Sequence, residues 1–223
     1  MTRTNVAQML SLMQMSDSAL PIGGYSNSWG FETWVQNETL TRAADVERAI
    51  ETLLTSSIAP NDGVACSLAH RFAVNKDLKA LLRLNEYLTA GRWCPEPLAA
   101  SLNMGERLKQ LALNTGWAES LPDLKMHHSV VFGWLSGEIG IHAEDAVAAY
   151  LYSSVAGLVS ASVRLVPLGH TDGQRILTVM RTVIARLVPD CLCKDLEDLG
   201  GFAPLSEWAA KEHETLYSRL FQS

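Results

Sequence analysis

Ala146-Val147-Ala148-Ala149-Tyr150-Leu151-Tyr152-Ser153-Ser154-Val155-Ala156-Gly157-Leu158-Val159-Ser160-Ala161-Ser162-Val163 runs for eighteen residues without a charge. That length is near the lower limit for a membrane span. Five alanines and four serines make it too polar for lipid, so no membrane segment is assigned. It reads instead as a buried central helix whose small residues let neighbours approach closely. Glu144-Asp145 complements the dipole at its start, and Pro167 stops it.

Outward from this helix the same 3.6-residue spacing recurs. Val6, Met9, Leu10 and Met13 form one apolar face, and Met9, Met13 and Met15 are either core filling or an adaptable surface. Thr41 is a suitable N-cap for a helix carrying Val46, Ile50, Leu53 and Leu54, expected to end before Pro60. Asn61-Asp62-Gly63 then restarts the chain. Leu78 to Leu88 is a further helix, as is Pro95 to Leu113, where Gly105 suggests a close neighbour. His127 to Ile141 reads as a short helix with broken ends, because Gly133, Gly137 and Gly140 interrupt it. Thr171 to Val188 is helical, Pro189 to Ala203 a loop, and a last helix starts near Ser206 with Trp208, Leu216 and Leu220 as apolar anchors. No stretch alternates as a strand would. The expectation is one all-α domain over residues 1–223, a helical bundle with a long buried central helix.

Of the 223 residues, 48% are hydrophobic and only 19% charged, which suggests apolar surface covered by a partner. The net charge is −6 and no basic run occurs, which argues against nucleic acid. Met1 to Gln14 lacks an unbroken apolar core, so no signal peptide is read and reduced thiols in the cytoplasm are expected.

Ala19-Leu20-Pro21-Ile22-Gly23-Gly24-Tyr25-Ser26-Asn27-Ser28-Trp29-Gly30-Phe31-Glu32 concentrates glycine, aromatic and serine residues. Gly23-Gly24 permits a tight turn, and Ser26 or Ser28 can cap a helix running through Glu32. A phosphate loop is excluded, because no lysine lies between Met1 and Lys76. A nucleophile elbow fails too, since Ser28 stands where its second glycine belongs. A serine hydrolase using Ser26, His170 and Asp172 is therefore disfavoured. His127-His128 points its rings about 100° apart on a helix, and Cys191-x-Cys193 fills half a tetrahedral site, so neither metal nor cofactor is expected. The second polar concentration is Arg164 to Arg175. Pro167 and Gly169 break the central helix there, and Thr171 or Asp172 can cap the next.

The glycine-rich stretch resembles the N-terminal signature of the urease accessory protein F family, UreF. Four more segments resemble that family in order. They are Ser101-Leu102-Asn103-Met104-Gly105, His128-Ser129-Val130-Val131-Phe132-Gly133, Arg164 to Arg175, and His213-Glu214-Thr215-Leu216-Tyr217-Ser218-Arg219-Leu220-Phe221-Gln222-Ser223. His170 replaces the family's usual glutamine. The resemblance implies a dimer-forming, all-helical chaperone of urease maturation, not an enzyme. It implies binding to UreD (also called UreH), to the GTPase UreG and to the urease apoprotein, with regulation of the GTPase during nickel insertion. A structural adaptor without effect on the GTPase is the alternative. On this reading Tyr25, Ser26, Ser28, Glu32, Tyr217 and Arg219 would face the GTPase, with Arg219, Arg164 or Arg175 a candidate arginine finger. Leu216, Leu220 and Phe221, in a tail from about 206 to 223, would face UreD. Leu220 and Phe221 would otherwise dock on the domain itself. Arg164, Pro167, Gly169, Asp172 and Gln174 would form a structural corner or the dimer contact.

Overall fold

A computed structural model describes residues 4–221, the side chain of Ser26 excepted. Among them all regular structure is helical, as expected. Helix α1 spans Val6–Met15 and opens with a reciprocal cap between Asn5 and Gln8. Short α2, Phe31–Gln36, precedes α3, Ala43–Leu53. Next come α4, Val64–Val74, α5, Leu78–Gly91, and α6, Pro95–Thr115. The remaining helices are α7, His128–Ile139, α8, Ala143–Leu165, α9, His170–Cys193, and α10, Pro204–His213.

The uncharged stretch from Ala146 to Val163 lies in α8, which packs on α9, α4 and α7. By length and composition it is the one described helix able to cross a membrane; half of its most apolar window is buried in the fold. The most enclosed element is the shorter α7, buried from His128 through Gly137. Its glycines are contact points rather than breaks. A β-carbon on Gly133 would lie 2.2 Å from the Cys66 carbonyl oxygen, and one on Gly137 would lie 2.8 Å from that of His70. Glycine is what lets α7 lie against α4 at this distance. Gly105 does the same towards the segment before α7, where a β-carbon would come within 1.9 Å of the Met126 carbonyl oxygen.

Several local expectations are overturned. Pro60 does not end a helix. The chain winds as a π-helix over Leu54–Gly63 and joins α3 to α4 without a break. Proline lacks an N–H and crowds the preceding turn, and the wider winding gives its ring room. This segment also buries Asp62, whose carboxylate meets Arg92 Nη2 at 2.6 Å. Pro189 likewise lies inside α9, which continues to Cys193 and buries Cys191. Thr41 bonds Asp45 Oδ2 through its side chain, and Arg42 is the N-cap of α3. Gly169, not Thr171 or Asp172, occupies the N-cap of α9. The apolar face of α1 is outside, with Val6, Met9, Leu10 and Met13 each more than half exposed, whereas Met15 is buried. On α10 the inward residues are Ser206, Ala209, Ala210 and His213, while Trp208 points outward.

Candidate functional site: a tail locked across a glycine loop

The glycine-rich stretch folds as two left-handed corners around a single 3-10 turn. Gly23 has φ 84°, Gly24–Ser26 makes the turn, and Trp29 and Gly30 have φ 54° and 84°. Gly30 is obligatory on two counts. Its φ favours glycine, and a β-carbon would lie 2.9 Å from that of Ala209 and 3.1 Å from the Ser206 carbonyl oxygen. Helix α10 therefore rests directly on the loop. The Ser206 hydroxyl donates to the Trp29 carbonyl at 3.3 Å, and Thr33 donates to that of Ala209 at 2.8 Å. Ser28 does not cap α2. Its N-cap is Gly30, and the Ser28 side chain is fully buried. Ser26 has its backbone in the 3-10 turn; its side chain lies outside the described residues.

Glu32 is the centre of the arrangement. It is buried, 2% exposed, which removes it from any partner-facing surface. One of its oxygens, Oε2, lies 2.9 Å from His213 Nε2. The backbone N–H groups of Leu220 and Phe221 donate to Oε1 and Oε2 at 2.7 and 3.1 Å. Glu96, at the start of α6, faces the other side of the same imidazole, with Oε2 2.9 Å from Nδ1. Its Oε1 accepts from Arg219 Nη1 at 2.9 Å. Gln36 adds a bond to the Ser218 carbonyl at 3.2 Å. Phe221 is buried, which corrects its assignment to a partner surface, and its ring lies 4.6 Å beneath the Arg164 guanidinium. Arg164 also donates to the Tyr25 carbonyl at 2.7 Å, so one side chain joins α8, the loop and the tail.

Loop and tail thus meet, and each is the other's partner. What remains outside is Tyr25, Tyr217 and Leu220, with Arg219 partly exposed and Leu216 half-buried. Beyond them, α10 and its approach expose Phe202, Leu205 and Trp208. A cleft of about 300 Å³ runs beneath the loop, between Met15, Tyr25, Asn27, Met104, His128 and Tyr152 among others.

The corner after α8 is exposed at Pro167, Gly169 and Gln174, and Asp172 pairs with Arg175 at 2.9 Å. Every candidate arginine finger is therefore engaged within the chain. His127 and His128 are buried, and among the described residues no group of His, Cys, Asp or Glu could hold a metal ion. Sequence reasoning missed Glu96 and gave His213 no role. An acid in the first turn of a helix ordinarily reads as a dipole partner, and nothing local points it towards a residue 117 positions away.

Fold and site together define an all-α protein whose C-terminal segment is ion-locked across an N-terminal glycine loop. The family model UreF matches residues 40–181. A urease accessory protein UreF from Bacillus sp. (strain TB-90) is 32% identical over 225 residues, covering 97% of this chain and 99% of the relative. Another, from Geobacillus kaustophilus (strain HTA426), is 33% identical over 97% of this chain and 98% of its own length. A third, from Actinobacillus pleuropneumoniae serotype 5b (strain L20), is 31% identical over 98% of this chain and all of its own. The chain belongs to the UreF family.

Proposed function

We propose that this chain is a urease accessory protein acting in the cytoplasm, a non-catalytic chaperone of urease maturation. It forms a complex with UreD (UreH), recruits the GTPase UreG, and couples GTP hydrolysis to nickel insertion into the urease apoprotein. The whole of residues 1–223 serves as one scaffold, as a homodimer, with the exposed corner at Pro167 to Gln174 as the contact between copies. The observation that carries the reading is the outward set left when the tail docks. Phe202 and Leu220 are each 80% exposed, Leu205 is 76% exposed and Tyr217 fully so. So much large apolar surface in one C-terminal region marks a docking face. Leu216, Leu220 and the outer side of α10 receive UreD. Tyr25, Tyr217 and Arg219 face the GTPase.

Size-exclusion chromatography with light scattering tests it, running the chain alone, with UreD, and with UreD plus nucleotide-loaded UreG. The expected result is a dimer that grows with each addition. Leu220→Ser, which removes the exposed apolar side chain and keeps both the charge of the lock and the backbone N–H that donates to Glu32, should abolish the UreD complex, and unchanged binding would sink the assignment. GTP turnover in the final peak separates a regulator from an adaptor that only assembles the partners.

A further inference from the structure

His213 is wholly buried between two carboxylates, with each ring nitrogen 2.9 Å from a carboxylate oxygen. A neutral imidazole carries one N–H and one lone pair. It could donate to Glu32 or to Glu96, and would turn its lone pair on the other. The imidazolium donates to both. The tail donates to the same two carboxylates, through Leu220 N and Phe221 N on Glu32 and Arg219 on Glu96.

We infer that His213 is a positioning residue, a protonated imidazolium that holds Glu32 and Glu96 in place so that the tail docks on them. With the proton present, His213 and Arg219 balance the two carboxylates. When it is lost, a buried net negative charge and an opposed lone pair remain, and the tail loosens. The surrounding groups are few. Cys94, just before α6, has its thiol pKa pushed up by burial and stays neutral. Lys211 and Glu214, on either side of His213, pair with each other at 2.6 Å. Arg164 reaches the tail from α8 through the Phe221 ring. None of them supplies a second donor to the imidazole. Docking of the tail is therefore tied to proton occupancy of one side chain, and it weakens as pH rises.

The test uses the intact chain. Hydrogen exchange of the Leu220 and Phe221 amides, corrected for the intrinsic rate at each pH, should lose about tenfold or more in protection between about pH 6 and about pH 9. Amides of α4 and α7 should keep theirs. Nitrogen-15 spectra at about pH 6 should show both His213 ring nitrogens protonated. Glu96→Gln removes one carboxylate and should shift the loss of protection to lower pH, an effect that a purely packing role would not produce. Tail protection that is equal at both ends of the range, or a His213 ring with one N–H at about pH 6, would overturn the inference.

Discussion

Adjacent in sequence, His127 and His128 meet different surroundings with the same electrostatic result. His127 lies between Ser101 Oγ at 3.0 Å and Thr89 Oγ1 at 3.1 Å. His128 packs its ring against Tyr150 and Phe132. Burial, with Arg92 nearby, pushes His127 down from 6.5 to about 3, and burial alone pushes His128 to about 4. Both rings stay neutral in the fold, while the unfolded chain protonates them near 6.5. Their contribution to stability is thus intact above 6.5 and erodes as pH falls towards 4 and then 3. Urea unfolding at pH 5 should give a free energy lower than at pH 7 by on the order of 2–4 kcal/mol. His127→Gln should flatten part of that slope; an unchanged slope would contradict the assignment.

Helices in this chain are positioned by backbone contact as much as by side-chain interlocking. The crossing of α7 over α4 depends on Gly133, where any side chain must displace the Cys66 carbonyl. Gly133→Ala should therefore destabilise by about 3 kcal/mol or more, read as a fall in thermal midpoint. Gly157 in α8 is the matched control. A β-carbon there meets nothing within 4 Å. Gly157→Ala should be neutral or stabilising by about 0.5–1 kcal/mol, because alanine favours the helix. The contrast between two helical glycines is invisible to a propensity scale, which assigns both the same penalty. Proline misled the sequence reading for a related reason. Pro60 and Pro189 are strong local stop signals, yet the packing around Ile58, Asp62, Val188 and Cys191 keeps the winding continuous through each.

For the molecule as a whole, the all-α class and the course of α8 were legible because apolar periodicity is local. The glycine loop and the tail were legible as unusual. Their mutual contact could not be read as a lock, since Glu32 and His213 stand 181 positions apart and each looks locally like an ordinary polar helix residue. The same distance explains why Ser28, Glu32 and Phe221 were placed on partner surfaces. A polar–aromatic cluster looks identical whether it faces solvent or the other half of its own chain. Phe221 should carry much of the tail's docking energy, through burial and the Arg164 cation. Phe221→Ala should release the segment after His213 at a loss of about 2–3 kcal/mol of local stability. Limited proteolysis should then cut there while the helical circular dichroism is retained. Equal protease resistance in the two proteins would place the docking energy elsewhere.

Glu32 has a history as well as a position. Its backbone donors are residues 188 and 189 positions later in the chain. At ribosomal speeds of 5–20 residues per second, they are made about 10 to 40 seconds after it. For that interval the carboxylate lacks the two backbone donors that hold it in the fold. Docking of the tail on Glu32 therefore follows the synthesis of every helix from α1 to α10.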